Sequence, residues 1–174
     1  QLKMYHSLSL IVIVTYKDGY SGDGLLTEFS VVDKSATQAS LRVNKPEDND
    51  LAMSLSNGEI TGGSYTSAIK ITSLNRTVAS SDPGSDPATL FTQRDCHLLL
   101  SPAQFARGTD LSFLLKIDGV DYAATVGSSE SLTLSAGNLY IYKLRLSDEK
   151  IYAKEWVSLS LEGFSINNWK DSQW

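Results

Sequence analysis

Residues 111–126 alternate in two runs around a single dipeptide. Leu111, Phe113, Leu115 and Ile117 lead up to Asp118-Gly119, and Val120, Tyr122, Ala124 and Val126 lead away from it. A side-chain period of two places each set on one face of a pleated strand. Asp-Gly between such runs is a preferred two-residue hairpin turn, because both central positions need positive φ. A hairpin here needs further strands to shelter its apolar face, and the rest of the chain supplies them.

Leu2 to Tyr16 is nearly continuously apolar and rich in β-branched residues, which predicts a long central strand buried on both faces. Lys17-Asp18-Gly19 and Ser21-Gly22-Asp23-Gly24 break it as a loop. Strands are expected at Leu25–Val32 and Ser40–Val43, with Asn44–Asp50 as a polar surface loop. Tyr65–Leu74 reads as one half-buried strand, with Tyr65, Ser67, Ile69 and Ile71 on one face. Residues 80–89, Ser- and Pro-rich, read as a mobile surface loop between two halves of one sheet system. A short helical turn is expected near Ser101–Arg107. Leu132 and Leu134 mark a short strand before the Ala136-Gly137-Asn138 turn. In Asn138–Ser147, Tyr140, Tyr142, Leu144 and Leu146 share one face while Lys143 and Arg145 point to water. Tyr152–Leu161 and Phe164–Trp169 close the set. The fold class is therefore all-β: a sandwich of about ten strands with Greek-key, transthyretin-like connections and little helix, forming one domain over residues 1–174.

Charge removes one class of partner. The net charge is −5 with a pI near 4.9, and the 15 basic residues are scattered, so nucleic acid is excluded. Cys96 is the single cysteine, which rules out an internal disulfide. The longest apolar run, Leu8–Val14, is far short of the ~20 residues of a membrane helix. No basic segment or cleavage pattern precedes it, so it is not a signal peptide either.

Chemistry is sparse. Cys96 and His97 are neighbours, so on a strand they face opposite ways and cannot share a metal. His6 falls in the first strand, far in sequence from other ligand types. A glycosidase needs two converging acids, but Asp118, Asp121, Glu130, Glu155 and Glu162 fall mostly in turns or on solvent faces. Asp18, Asp23, Asp48 and Asp50 sit in Gly- or Asn-containing loops without the spacing of a calcium loop, and Asp82 and Asp86 flank Pro-Gly as turn residues. Asn75-Arg76-Thr77 fits a glycosylation acceptor, a short pattern that carries no weight alone. Trp156, Trp169 and Trp174, with eight tyrosines, could form a sugar-stacking platform or simply pack in the sheets. No catalytic residue, cofactor site or metal site is expected.

Several segments in order resemble the fimbrillin-like family of Gram-negative surface proteins. Met4-Tyr5-His6-Ser7-Leu8-Ser9 is similar to that family's entry into a long strand. Leu98-Leu99-Leu100-Ser101-Pro102-Ala103-Gln104 is similar to its apolar run ending in Ile-Pro-Gln, with an alanine between Pro102 and Gln104 as a departure. Leu134-Ser135-Ala136-Gly137-Asn138-Leu139-Tyr140-Ile141-Tyr142 resembles its Leu-x-Ala-Gly-x-x-Tyr-x-Tyr step. Ile151, followed by Phe164-Ser165-Ile166-Asn167-Asn168-Trp169, is similar to its terminal strand.

The resemblance implies a non-catalytic structural or adhesive component of a surface fimbria. It implies the C-terminal domain of a longer precursor, located at the outer membrane, with any membrane attachment through a lipid anchor outside this chain. Partners would be other fimbrial subunits or a surface ligand of host or bacterium. Phe164, Ile166 and Trp169 are the candidate assembly strand. The chain ends five residues after Trp169, which favours a tip, accessory or anchoring role over a stalk repeat. The alternative reading is a surface carbohydrate-binding module, whose aromatics would have to be exposed.

Overall fold

The computed structural model describes residues 6–35, 39–44, 50–126, 129–148 and 151–160, with side chains in the last segment only at Ile151. In chain order the strands are β1 (Ser9–Lys17), β2 (Leu25–Asp33), β3 (Leu41–Val43), β4 (Ala52–Met53), β5 (Ile60–Thr61), β6 (Ser64–Thr66), β7 (Ala68–Ile71) and β8 (Arg76–Thr77). A short helix α1 (Pro87–Thr92) follows, then β9 (Cys96–Leu100), β10 (Ala103–Phe105), β11 (Leu111–Ile117), β12 (Val120–Thr125), β13 (Leu132–Leu134), β14 (Asn138–Leu146) and β15 (Ile151–Ser160).

Nine of these strands build two sheets. The first runs β15-β14-β1-β9 and the second β12-β11-β2-β7, with β8 pairing on to the start of β2. The chain changes sheets between β1 and β2, β7 and β9, β9 and β11, and β12 and β14, the Greek-key order expected. Within the two sheets only β1 and β14 pair in parallel, from Leu10 opposite Leu139 to Lys17 opposite Leu146. The small ribbons β3–β6, β4–β5 and β10–β13 complete the set.

Alternation decides which side chains enter the core. Ile11 and Ile13 of β1, Phe29 and Val31 of β2, Phe113 and Leu115 of β11, and Tyr140, Tyr142 and Leu144 of β14 meet between the sheets. Phe113 lies 5.7 Å from Phe29 and 4.8 Å edge-on from Tyr142, so one ring ties the two sheets together. Each fully buried apolar side chain of this size contributes about 1.5–3 kcal/mol. The opposite face of the first sheet is buried too. Val12, Val14, Leu139 and Ile141 form a second cluster with Leu90 of α1. The unbroken Leu10–Val14 run thus reflects a strand covered on both sides, as its composition predicts.

The hairpin turn is as expected, with φ of 50° at Asp118 and 80° at Gly119. Other segments differ from the sequence reading, each for a local reason. Tyr65–Leu74 is two strands, because Thr66 Oγ1 accepts the Ala68 amide and bonds back to the Ala68 carbonyl, turning the chain at Ser67. Tyr65 therefore belongs to the β3–β6 ribbon, 48% exposed, while Ile69 and Ile71 pack on the core. Residues 80–89 are not a loose loop. Asp82 Oδ1 accepts the Gly84 amide, and Asp86 caps α1 through Thr89 N at 2.8 Å, with Pro87 opening the helix. The helical turn expected at Ser101–Arg107 is strand β10 instead, and a single 3-10 turn follows at Gly108–Asp110. Lys143 does not reach water. It is 3% exposed, its Nζ donating to Asp82 Oδ1 at 3.0 Å and Gly84 O at 2.9 Å, so it anchors the 80–86 segment to the sheet. His6 precedes β1 and is exposed.

Candidate functional site

The most open chemistry of the fold lies on an edge. β9 pairs with β1 from Ser9 opposite Leu100 to Ile13 opposite Cys96 without a register shift, and among the described residues no strand pairs with its other side. Alternation sends Cys96 and Leu100 into the core, with His97 and Leu99 outward, Leu99 being 61% exposed. The strand Cys-His-Leu-Leu-Leu has no Lys, Glu, Asp, Pro or bulge, the usual means of blunting an edge. The edge strands of the second sheet differ. β7 is four residues long and carries Lys70, and β12 carries Asp121. β9 is therefore an edge row of backbone donors and acceptors without Lys, Glu, Asp or Pro to blunt it.

The Cys96–His97 step divides as the alternation predicts. Cys96 is buried in the core, and burial pushes its thiol up to about 12, so it is not a nucleophile at neutral pH. His97 faces away from it.

The loop at residues 17–24 is fastened rather than free. Asp118 Oδ2 accepts Tyr20 Oη and the Gly24 amide, both at 2.8 Å, and Oδ1 accepts the Leu25 amide at 2.8 Å. Those amide donors hold the Asp118 carboxyl below its ordinary range. Asp148 accepts the Ser21 amide at 2.7 Å, Lys17 Nζ donates to Gly22 O at 2.9 Å, and Arg145 pairs with Asp18 at 3.0 Å. The hairpin aspartate thus has a second role that the turn signal alone did not show: it ties the β1–β2 loop to the end of the sandwich.

Of the candidate acids, Asp118 is committed to the 17–24 loop, and the side chains of Glu155 and Glu162 lie outside the described residues. An open trough of about 280 Å³ on the outer face of the second sheet is lined by Glu28, Ser30, Lys70, Leu114, Asp121 and Ala123. Its Glu28 is ion-paired with Lys70, whose hydrogen bond pulls the carboxyl below its ordinary range, the reverse of what a general acid needs. Among the described residues no three His, Cys, Asp or Glu side chains gather closely enough to hold a metal. Sequence reading passed over Asp95, which is 8% exposed beside β1. Its carboxylate accepts the Thr15 amide, and burial pushes its carboxyl up to about 6. Both of its bonds go to the backbone of β1, so Asp95 acts as a structural acid.

Two of the tyrosines counted toward a stacking platform are buried, while Tyr65 is exposed. Tyr140 is 3% exposed and Tyr142 1%, both in the core. Tyr140 Oη donates to Thr133 O at 3.0 Å and accepts from Ser135 N at 2.8 Å, buckling the 133–140 turn onto its own ring. Phe164, Ile166 and Trp169, the assembly-strand candidates, lie outside the described residues, as do Trp174 and the side chain of Trp156.

The fold has known counterparts. The structure of a candidate cell adhesion protein from Bacteroides uniformis superposes with a TM-score of 0.51 at 15% identity, over 90% of this chain and 52% of that one. A second such protein, from Bacteroides ovatus, superposes at 0.49 with 11% identity, over 88% of this chain and 44% of that one. The chain thus spans about half the length of the structures it matches. At this identity the likeness is one of fold. No family model matches the chain, and no curated protein does.

Proposed function

We propose that the chain is a non-catalytic structural or adhesive domain of a bacterial surface fimbria, assembled through strand addition. The observation that carries this reading is β9, an uncharged apolar edge whose outer side has no strand beside it among the described residues. An extended segment from a neighbouring subunit satisfies its amides and carbonyls and covers Leu99 at once. The likeness of fold to a Bacteroides candidate adhesion protein supports the surface setting, as does the segment-by-segment resemblance to fimbrillin-like proteins. On this reading the chain is one domain of a longer precursor, lipid-anchored outside the present residues. Its partners are other subunits or a surface ligand, and Phe164, Ile166 and Trp169 are the candidate assembly strand. The burial of Tyr140 and Tyr142 removes two of the aromatics a carbohydrate-binding module would use.

The test is assembly of the full-length precursor after proteolytic maturation, followed as oligomer ladders on a denaturing gel. Ladders are expected from the natural protein and not from Leu99→Lys, which sets a charge on the edge without entering the core. Undiminished ladders from that variant would falsify assembly at β9, and a precursor that never ladders would reject polymerisation itself.

A further inference from the structure

We propose that Asn57-Gly58, at the tip of the β4–β5 hairpin, is a self-modifying site where the asparagine amide is lost through a succinimide. The Gly58 backbone nitrogen bonds to Asn57 Cγ and the Cγ–Nδ2 bond breaks. Nδ2 leaves as ammonia, taking the proton from the Gly58 nitrogen. Water then opens the ring at either carbonyl, giving aspartate or isoaspartate. Water is the sole co-reactant.

Three observations place the reaction here. Asn57 is exposed, and Gly58, with φ of 71°, has no Cβ to obstruct the approach of its nitrogen. In the closed tip the Gly58 amide donates to Ser54 O at 2.8 Å, so the reaction requires the tip to open. Opening is easy, because β4 and β5 are two residues each and Ser54 N to Glu59 O, at 2.9 Å, is the other backbone bond across the tip.

The remaining steps of this kind are protected. The Asp118 carboxylate, next to Gly119, is held ionised by three donors, and an ionised carboxylate is a poor electrophile. Asp18, next to Gly19, is paired with Arg145, and the Gly24 nitrogen, after Asp23, is bound to Asp118.

The consequence is mechanical. Asn57 Nδ2 donates to Glu59 Oε2 at 3.3 Å and Oδ1 accepts the Glu59 amide at 3.0 Å. Conversion replaces that Nδ2 with an oxygen, setting two carboxylates against each other, and isoaspartate also lengthens the turn by one backbone carbon. The tip rests on the segment leading into β1, where a Cβ on Gly58 would stand 2.6 Å from Ser7 Oγ. Ageing therefore unseats the hairpin that carries Leu55, 95% exposed, and Met53, 51% exposed.

The experiment incubates the full chain in warm, mildly alkaline buffer and follows it by isoelectric focusing, peptide mass mapping and isoaspartate detection. One more acidic isoform is expected, mapping to the peptide that contains Asn57 and absent from Asn57→Ser. Asn57→Asp, as a permanent mimic, is expected to speed amide exchange at Ser54, Gly58 and Glu59. An isoform that persists in Asn57→Ser, or conversion at Asn44, Asn75 or Asn138 while Asn57 stays amidated, overturns the site. Unchanged exchange in Asn57→Asp overturns the loosening.

Discussion

Asp95→Asn isolates the cost of one buried charge. The Asp95 amide donates to Ile13 O at 2.8 Å and its carboxylate accepts the Thr15 amide, so the residue clips the entry of β9 to β1 from both ends. Burial raises its carboxyl from 3.8 to about 6, opposed by the Thr15 amide and by the charge of Arg76. An acid with a raised pKa in the folded state binds its proton more tightly there than when unfolded. The folded protein therefore carries no penalty below about pH 4, and the penalty grows as pH rises through 6. The gap of about two pH units corresponds to about 3 kcal/mol at neutrality, at 1.36 kcal/mol per unit. Asparagine keeps an oxygen for the Thr15 amide and removes the charge. The variant is expected to match the natural protein near pH 4 and to exceed it by up to about 3 kcal/mol near pH 7.5. Urea unfolding followed by circular dichroism at both pH values gives the difference. Using the difference cancels acids such as Glu28, Asp86 and Asp118, whose lowered pKa values make the whole protein lose stability on acidification. A difference that does not change with pH, or a variant weaker by the same amount throughout, refutes the reasoning.

The two ends of the Lys143–Asp82 pair are expected to respond unequally, because their side chains are 4% and 38% exposed. Lys143→Met leaves a carboxylate that water can reach and should cost about 1–2 kcal/mol, whereas Asp82→Ala takes the opposite charge from an ammonium held away from water and should cost about 3 kcal/mol or more; equal losses in denaturant unfolding contradict this. Tyr142 Oη is buried without a hydrogen-bond partner among the described residues, so Tyr142→Phe should be neutral or stabilising by about 1 kcal/mol. Tyr140→Phe, which drops the bonds to Thr133 and Ser135, should cost about 1–2 kcal/mol, and thermal melts that rank the two the other way reject the assignment.

Period-two patterns were legible wherever one strand faced one core. They located the 111–126 hairpin, the 138–146 strand and the opposed Cys96 and His97 from residue types alone. Reading failed where partners come from far along the chain. Lys143 looks solvent-facing beside Arg145, and only the 80–86 segment folding over it makes it buried. Asp95 carries no local signal, and its role depends on Thr15, eighty positions away. Ser67 carries no breaker signal, so the split of Tyr65–Leu74 depends on a threonine hydroxyl bonding its own backbone. Of the candidate site, Leu98-Leu99-Leu100 was visible as an apolar run. That it forms an edge is a property of sheet order, which no local pattern encodes.

The parallel contact between β1 and β14 also has a consequence in time. Leu10 meets Leu139, more than a hundred residues further on, and closing so large a loop is slow. A chain emerging N-terminus first holds Ile11, Val12, Ile13 and Val14 with β9 as their one paired neighbour at most until residues 139–146 have been made. During that interval the segment is exposed and prone to aggregate, so conditions that slow synthesis are expected to lower the yield of folded protein.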